Sequence, residues 1–362
     1  MDVTNPADWS SEVKVAGNVL WEFTHSTMGY SYGVPLVVKT AKYGWTAILT
    51  SGYENSDGKG YFYIVNPRTG QLLEAPVATT EGSSTTPLNL AHATAFIPDF
   101  KDGTADAVYA GDQQGNVWRL DLTGTTGTYA APTKIASLQL GNKAQPVTTR
   151  PLVEIDAATG RRYVLVGTGR LLGDSDILST EVQSLYSLQD GSSKPGGFYT
   201  TKTLPGGALF PLTRNSLSAI SNPVAGMSGT SATPLGWYLD LSKDSSSGVA
   251  ERVNLDPVAN DSVVAFGVNL PDGTACKPQG KNRKYAMSIA TGRSVLVDQN
   301  GGLIGATAYS NGLATDLAFT RTDGSGGLYG GTSTGIFGKD PTQRAKPPSL
   351  KLLNWREVPT ED

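Results

Sequence analysis

Three carboxylates fall within one turn at Asp99-Phe-Lys-Asp-Gly-Thr-Ala-Asp106. Glu54-Asn-Ser-Asp-Gly58 is a further set of oxygen ligands for a cation, with an ordinary polar loop as the plainer reading. Asp174, Asp176 and Glu181 offer paired carboxylates for acid–base work. They share a loop with Ser175 and Thr180, which favours turn capping over catalysis. His25 and His92 are the only histidines, so a catalytic triad or a histidine-based metal site has little to build with. Each reads instead as a buried, hydrogen-bonded ring. Gly167-Thr-Gly-Arg-Leu-Leu-Gly173 superficially resembles a phosphate loop. It opens no helix and lacks the Lys-Ser/Thr pair, so the glycines read as a strand end.

The elements that must position these residues are hairpins. Ala107–Gly111 reads as a strand, Asp112–Asn116 as a tight turn and Val117–Leu122 as a second strand. Gln114-Gly-Asn116 supplies the positive-φ residues that such a turn needs. Alternation places Trp118, Leu120 and Leu122 on a core-facing side and Val117, Arg119 and Asp121 on the other. Further strands are expected at Val19–Phe23, Leu36–Thr40, Trp45–Ser51, Tyr61–Val65, Ser184–Leu188, Gly236–Leu241, Val263–Asn269, Leu317–Arg321 and Leu328–Phe337. Leu270–Lys281 is expected to be a loop carrying Cys276.

Composition supports this reading. The chain has 362 residues with 43 glycines and 21 prolines, and its apolar runs are short and separated by turn residues. No segment carries a sustained helical period. A net charge of −3 gives no basic footprint for nucleic acid, and no apolar run is long enough to span a membrane. Only 17% of residues are charged, which suits an extracellular β protein. The start, Met1-Asp-Val-Thr-Asn-Pro6, is not a signal peptide, so an exported protein of this sequence is expected to be a fragment of a longer one. Cys276 is alone; it pairs outside the fragment or is a loop thiol without a role.

Two hairpin patterns recur. Tyr63-Ile-Val-Asn-Pro-Arg-Thr-Gly70 returns as Val153-Glu-Ile-Asp-Ala-Ala-Thr-Gly160 and, degenerately, as Ala286-Met-Ser-Ile-Ala-Thr-Gly292. Val164-Leu-Val-Gly-Thr-Gly-Arg170 has relatives at Val108–Asp112 and Leu328–Thr332. A spacing of roughly 40 to 60 residues is that of a four-stranded propeller blade. One blade cannot bury both of its faces alone; arranged radially, each packs on its neighbours.

Tyr109-Ala-Gly-Asp-Gln-Gln-Gly-Asn-Val-Trp-Arg-Leu-Asp121 closely resembles a segment of the C-terminal domain of PilY1/PilC-type type IV pilus biogenesis proteins. So do Gly29–Pro35 with Gly52–Asn55, Val166–Asp176, Gln183–Tyr186, Gly236–Leu241 and Trp355–Glu357, in family order across nearly the whole chain. The resemblance implies an all-β fold, a modified β-propeller of about seven blades of mostly four antiparallel strands. It implies an exported protein at the pilus tip, outer membrane or cell surface. Such a protein promotes pilus assembly against retraction, supports twitching motility and adheres to surfaces. Its partners would be minor pilins and the pilus assembly machinery, and host or abiotic surfaces through an N-terminal module absent here.

The resemblance also implies an EF-hand-like calcium loop just before the Tyr109 strand. Asp102 and Asp106 match ligand positions, Thr104 offers its carbonyl, and Asp99 stands close enough to help. The first two positions are Pro98 and Phe100, without side-chain oxygens, and Lys101 adds a positive charge. The turn is then a weak calcium site or a solvated turn that kept its shape and lost its ion.

The expected layout is a linker or edge strand at 1–18, a propeller at 19–345 and a tail at 346–362. In that tail Leu350–Val358 closes the ring, so deleting Leu350–Asp362 is expected to lower the melting temperature. The expected function is non-enzymatic binding and assembly. Contact loops are expected at Gly52–Gly60, Gly191–Leu212 and Leu270–Arg283. The alternative is a quinoprotein-type dehydrogenase propeller, which the irregular tryptophans at 9, 21, 45, 118, 237 and 355 disfavour.

Overall fold

Short β-rich runs pair with their neighbours in the chain and build five sheets of four or five strands, beside one two-stranded ribbon. The computed structural model describes residues 6–227, 234–274, 277–322, 325–336 and 340–342. Cys276, the 346–362 tail and its expected ring-closing strand lie outside the described residues.

Sheet 1 contains Leu36–Thr40, Gly44–Thr50, Tyr61–Val65 and Val77–Ala78, with Thr104–Ala105 added in parallel to Leu36–Thr40. Sheet 2 contains Ala93–Phe96, Ala107–Gly111, Asn116–Asp121 and Thr133–Ser137. Sheet 3 contains Leu152–Asp156, Arg161–Gly167, Ser184–Ser192 and Gly236–Asp240, with Ser218–Ala219 in parallel at its edge. Sheet 4 contains Val258–Asn260, Val263–Thr274, Lys277–Ser288 and Ser310–Asn311. Sheet 5 contains Ala314–Thr322, Ser325–Thr332, Gly335–Ile336 and Asp340–Pro341. The first strands of successive sheets adjoin one another, which is the propeller-like arrangement.

The cores lie between sheets. Val108, Ala110, Trp118 and Leu120 of sheet 2 meet Val38, Ile48, Phe62 and Ile64 of sheet 1. The alternate residues Ala107, Tyr109 and Val117 meet Val164, Val166, Tyr186 and Leu188 of sheet 3. Sheet 3 turns Tyr163, Leu165, Leu185 and Trp237 to Val264, Phe266, Tyr285 and Met287 of sheet 4. Sheet 4 in turn gives Ala265 and Ala286 to Leu317 and Leu328 of sheet 5. The expectation that only the Trp118 side faces a core is therefore corrected. Both faces of the strand are covered, because a sheet lies on each side of it. Gly167 shows how close the layers are: a Cβ there would stand 2.6 Å from the Val253 side chain.

Three local expectations change. In the segment expected as linker or edge strand, Pro6–Trp9 is a 3-10 helix and Glu12–Gly17 an α-helix, with Ser11 accepting at its N-terminus from the Lys14 amide. Val19–Phe23 forms no strand. Its alternation serves packing instead: Trp21 and Phe23 lie on the outer face of sheet 1 against Ala47, Tyr63 and Val65, and Trp21 Nε1 donates to Pro67 O at 2.9 Å. Leu270–Lys281 is not a free loop, since the paired strands of sheet 4 run on to Thr274 and Lys277.

Candidate functional site: the acidic turn and the ion network beneath it

The turn at 99–106 joins the first two strands of sheet 2. Asp99 folds it locally, with Oδ1 accepting from Lys101 N at 2.9 Å and its carbonyl accepting from Gly103 N at 2.8 Å. Gly103 takes φ +71, a conformation few other residues adopt. Phe100 points into solvent, 88% exposed. Thr104 and Ala105 then pair in parallel with Lys39 and Thr40, so sheet 1 holds the descending arm.

The three carboxylates diverge. Asp102 lies on the surface, where Lys39 Nζ donates to its Oδ1 at 2.9 Å and to its carbonyl at 3.1 Å. The Thr104 hydroxyl and the Lys39 ammonium hold the Asp102 carboxyl below its ordinary value. Asp106 turns inward and is 4% exposed. Arg162 binds it through two nitrogens, Nη2 to Oδ2 at 2.8 Å and Nη1 to Oδ1 at 3.2 Å, and Gly196 N donates to Oδ2 at 2.8 Å.

Beneath the turn lies a buried ion network between sheets 2 and 3. Arg162 also donates to Tyr109 Oη at 3.2 Å, and Tyr109 donates to Asp190 Oδ2 at 2.8 Å. Asp190 accepts from Arg119 as well, whose Nη2 reaches Tyr199 O at 2.7 Å. Burial pushes the Tyr109 phenol well above its ordinary value, so it stays a donor. Phe96 covers the Arg162 guanidinium at 4.0 Å and Phe198 covers that of Arg119 at 4.3 Å. The 191–212 connection, expected to be a contact loop, thus puts Phe198, Tyr199 and Phe210 against the core. Sequence reading missed Arg119, Arg162 and Asp190 as a set. The available signal was a charge in mid-strand, which must be paired wherever both strand faces are covered.

The remaining candidates do not gather at this turn. Asp176 accepts from Arg170 Nε at 2.8 Å, Leu172 N at 2.9 Å and Gly173 N at 3.1 Å, the capping role expected of it. Asp57 of the 54–58 cluster accepts from Lys59 N and Asn55 Nδ2. His25 Nδ1 lies 2.9 Å from the Thr27 hydroxyl. His92 instead faces a cavity of about 410 Å³ where the first strands converge, lined also by Arg150, Asp256 and Asp316. His92, Arg150 and Asp256 stand one or two residues before the first strands of sheets 2, 3 and 4, Asp316 lies in the first strand of sheet 5, and burial lowers the His92 imidazole. Arg150 and Asp256 pair there, with Arg150 N donating to Asp256 Oδ1 at 2.8 Å. Among the described residues no group of three or more His, Cys, Asp or Glu side chains is placed to hold a metal ion. No helix among them is long and apolar enough to cross a membrane, which says nothing of a β-barrel.

Comparison with known proteins places this geometry in context. A family model described as the PilY1 beta-propeller domain matches residues 9–217. A type IV pilus biogenesis factor PilY1 homolog of Xylella fastidiosa is 26% identical over 379 residues, covering 99% of this chain and 28% of the relative. The type IV pilus biogenesis factor PilY1 of Pseudomonas aeruginosa strain UCBPP-PA14 is 26% identical, covering 91% of this chain and 32% of the relative. The chain therefore spans about a third or less of these relatives. The crystal structure of the Pseudomonas aeruginosa PilY1 C-terminal domain superposes with a TM-score of 0.65 at 22% identity, covering 89% of this chain and 75% of that one, which shows the shared fold.

Proposed function

Because the chain belongs to the PilY1 β-propeller family, we propose that it is the propeller region of a type IV pilus biogenesis and adhesion factor. The observation that carries this reading is the family match across residues 9–217. In this role the protein is exported, acts at the pilus tip or outer membrane, favours pilus assembly over retraction and supports twitching motility. It works by binding, not by turnover. The quinoprotein alternative falls with the family assignment.

A rigid cap suits this role. The packed sheets and buried ion pairs make a stiff body, and the partner contacts would come from its edges. Tyr30, Tyr32 and Val34 are exposed beside the 52–60 loop, and the Tyr32 ring lies tilted against Tyr53 with centroids 5.3 Å apart. We assign minor pilins of the assembly machinery as the partner of this aromatic edge. A closed ring of about seven blades belongs to the same proposal. The outer face of sheet 1 supports it, since Val37 and Trp45 are each 62% exposed where an inner sheet would bury them. Further blades there would cover both.

A binding test follows. Tyr30→Ala with Tyr32→Ala should weaken capture of minor pilins at least tenfold while leaving the melting temperature unchanged. Equal capture by the double variant would remove this edge from the interface.

A further inference from the structure

We infer that the acidic turn is closed by two of the protein's own cations, Lys39 and Arg162, in the place of a bound calcium ion. The donor set decides this. A calcium ion takes six to eight converging oxygens. Here both Asp106 oxygens are filled, one by Arg162 Nη1 and the other by Arg162 Nη2 and Gly196 N. The Asp102 carboxylate and carbonyl both bind Lys39 Nζ. Asp99 Oδ1 serves the Lys101 amide. Positions 98 and 100 are Pro and Phe, which carry no side-chain oxygen. The residues present do not fit the ion.

The two cations come from different sheets. Lys39 belongs to sheet 1, Arg162 to sheet 3, and the turn itself to sheet 2. The turn therefore fastens three consecutive sheets together. A metal-held turn would open when its ion leaves. This one carries its counter-charges covalently in the chain, so its closure does not follow calcium concentration. Its outer half, between exposed Lys39 and Asp102, is open to screening by salt. Its inner half, between Arg162 and Asp106, is buried and screened much less.

The test is a thermal melt of the 362-residue chain in millimolar calcium chloride and in excess chelator, with tryptic cleavage after exposed Lys101 followed in parallel. The wild type should melt at the same temperature in both media. Lys39→Met should lower the midpoint by about 1–3 °C and speed cleavage at Lys101 severalfold, as loss of a surface ion pair predicts. If Lys39→Met fails to fold, Lys39→Arg keeps the charge and should retain both the midpoint and the calcium insensitivity. A midpoint that rises with calcium in the wild type, and no longer rises in Asp102→Asn, would overturn the inference. So would a Lys39→Met variant unchanged in both melting and cleavage.

Discussion

Asp112 closes the 107–121 hairpin by accepting four hydrogen bonds, from Gln114 N, Asn116 N, Asn116 Nδ2 and Trp118 Nε1, all at 2.7–2.9 Å. Burial still pushes its carboxyl up to about 6. The unfolded chain releases this proton near 3.8, so between 3.8 and about 6 the folded chain binds the extra proton. This group therefore favours the fold fully below 3.8, and that contribution, about 3 kcal/mol, is lost as the pH rises through 6. Asp112→Asn should remove this step from a melting-temperature series across pH 4 to 7, and an identical pH profile would contradict it. Arg162 carries the opposite lesson. Arg162→Met strands the Asp106 carboxylate in a closed interface, with an expected loss of about 3–5 kcal/mol in denaturant unfolding. The companion variant Asp106→Asn/Arg162→Met should recover much of that loss. At this scale the sequence was legible where a residue acts locally, as Asp176 does in its turn. Arg119 was not legible, because its partner Asp190 lies on a sheet far along the chain.

Strands announce themselves by alternation, and most expected ones are present. Their surroundings are less visible. Alternation in Val117–Leu122 separates two faces, but says nothing of a second sheet that covers the less apolar one. The same limit explains Val19–Phe23, where alternation marks two aromatic anchors on a neighbouring sheet instead of a ladder. The packing account predicts that Trp118→Ala costs about 3–5 kcal/mol, because the ring is fully buried between sheets 1 and 2 and loses its bond to Asp112. Trp21→Ala should cost less, since Trp21 is only half-buried and covers one face of sheet 1. Equilibrium unfolding of the two variants would show this order, and a reversed order would contradict the inter-sheet core.

For the whole molecule, the repeats made a propeller-like body legible, and the order of motifs along the chain pointed to its family. The bounds of each sheet were less legible, because blade periods vary with connections as long as the one from Ser192 to Gly236 in sheet 3. The acidic turn shows why a motif must be read with its surroundings. The resemblance implied ligand positions at Asp102 and Asp106, while Lys39 and Arg162, which engage these two carboxylates, are distant in sequence. The role we propose for this chain, in the machinery that builds type IV pili, can be checked in cells. Its most direct test is the number of surface pili on cells whose chromosomal copy lacks this region. Few or no surface pili and no twitching are expected, with pili restored when the retraction motor is also disabled. A normal pilus number with normal twitching would contradict it.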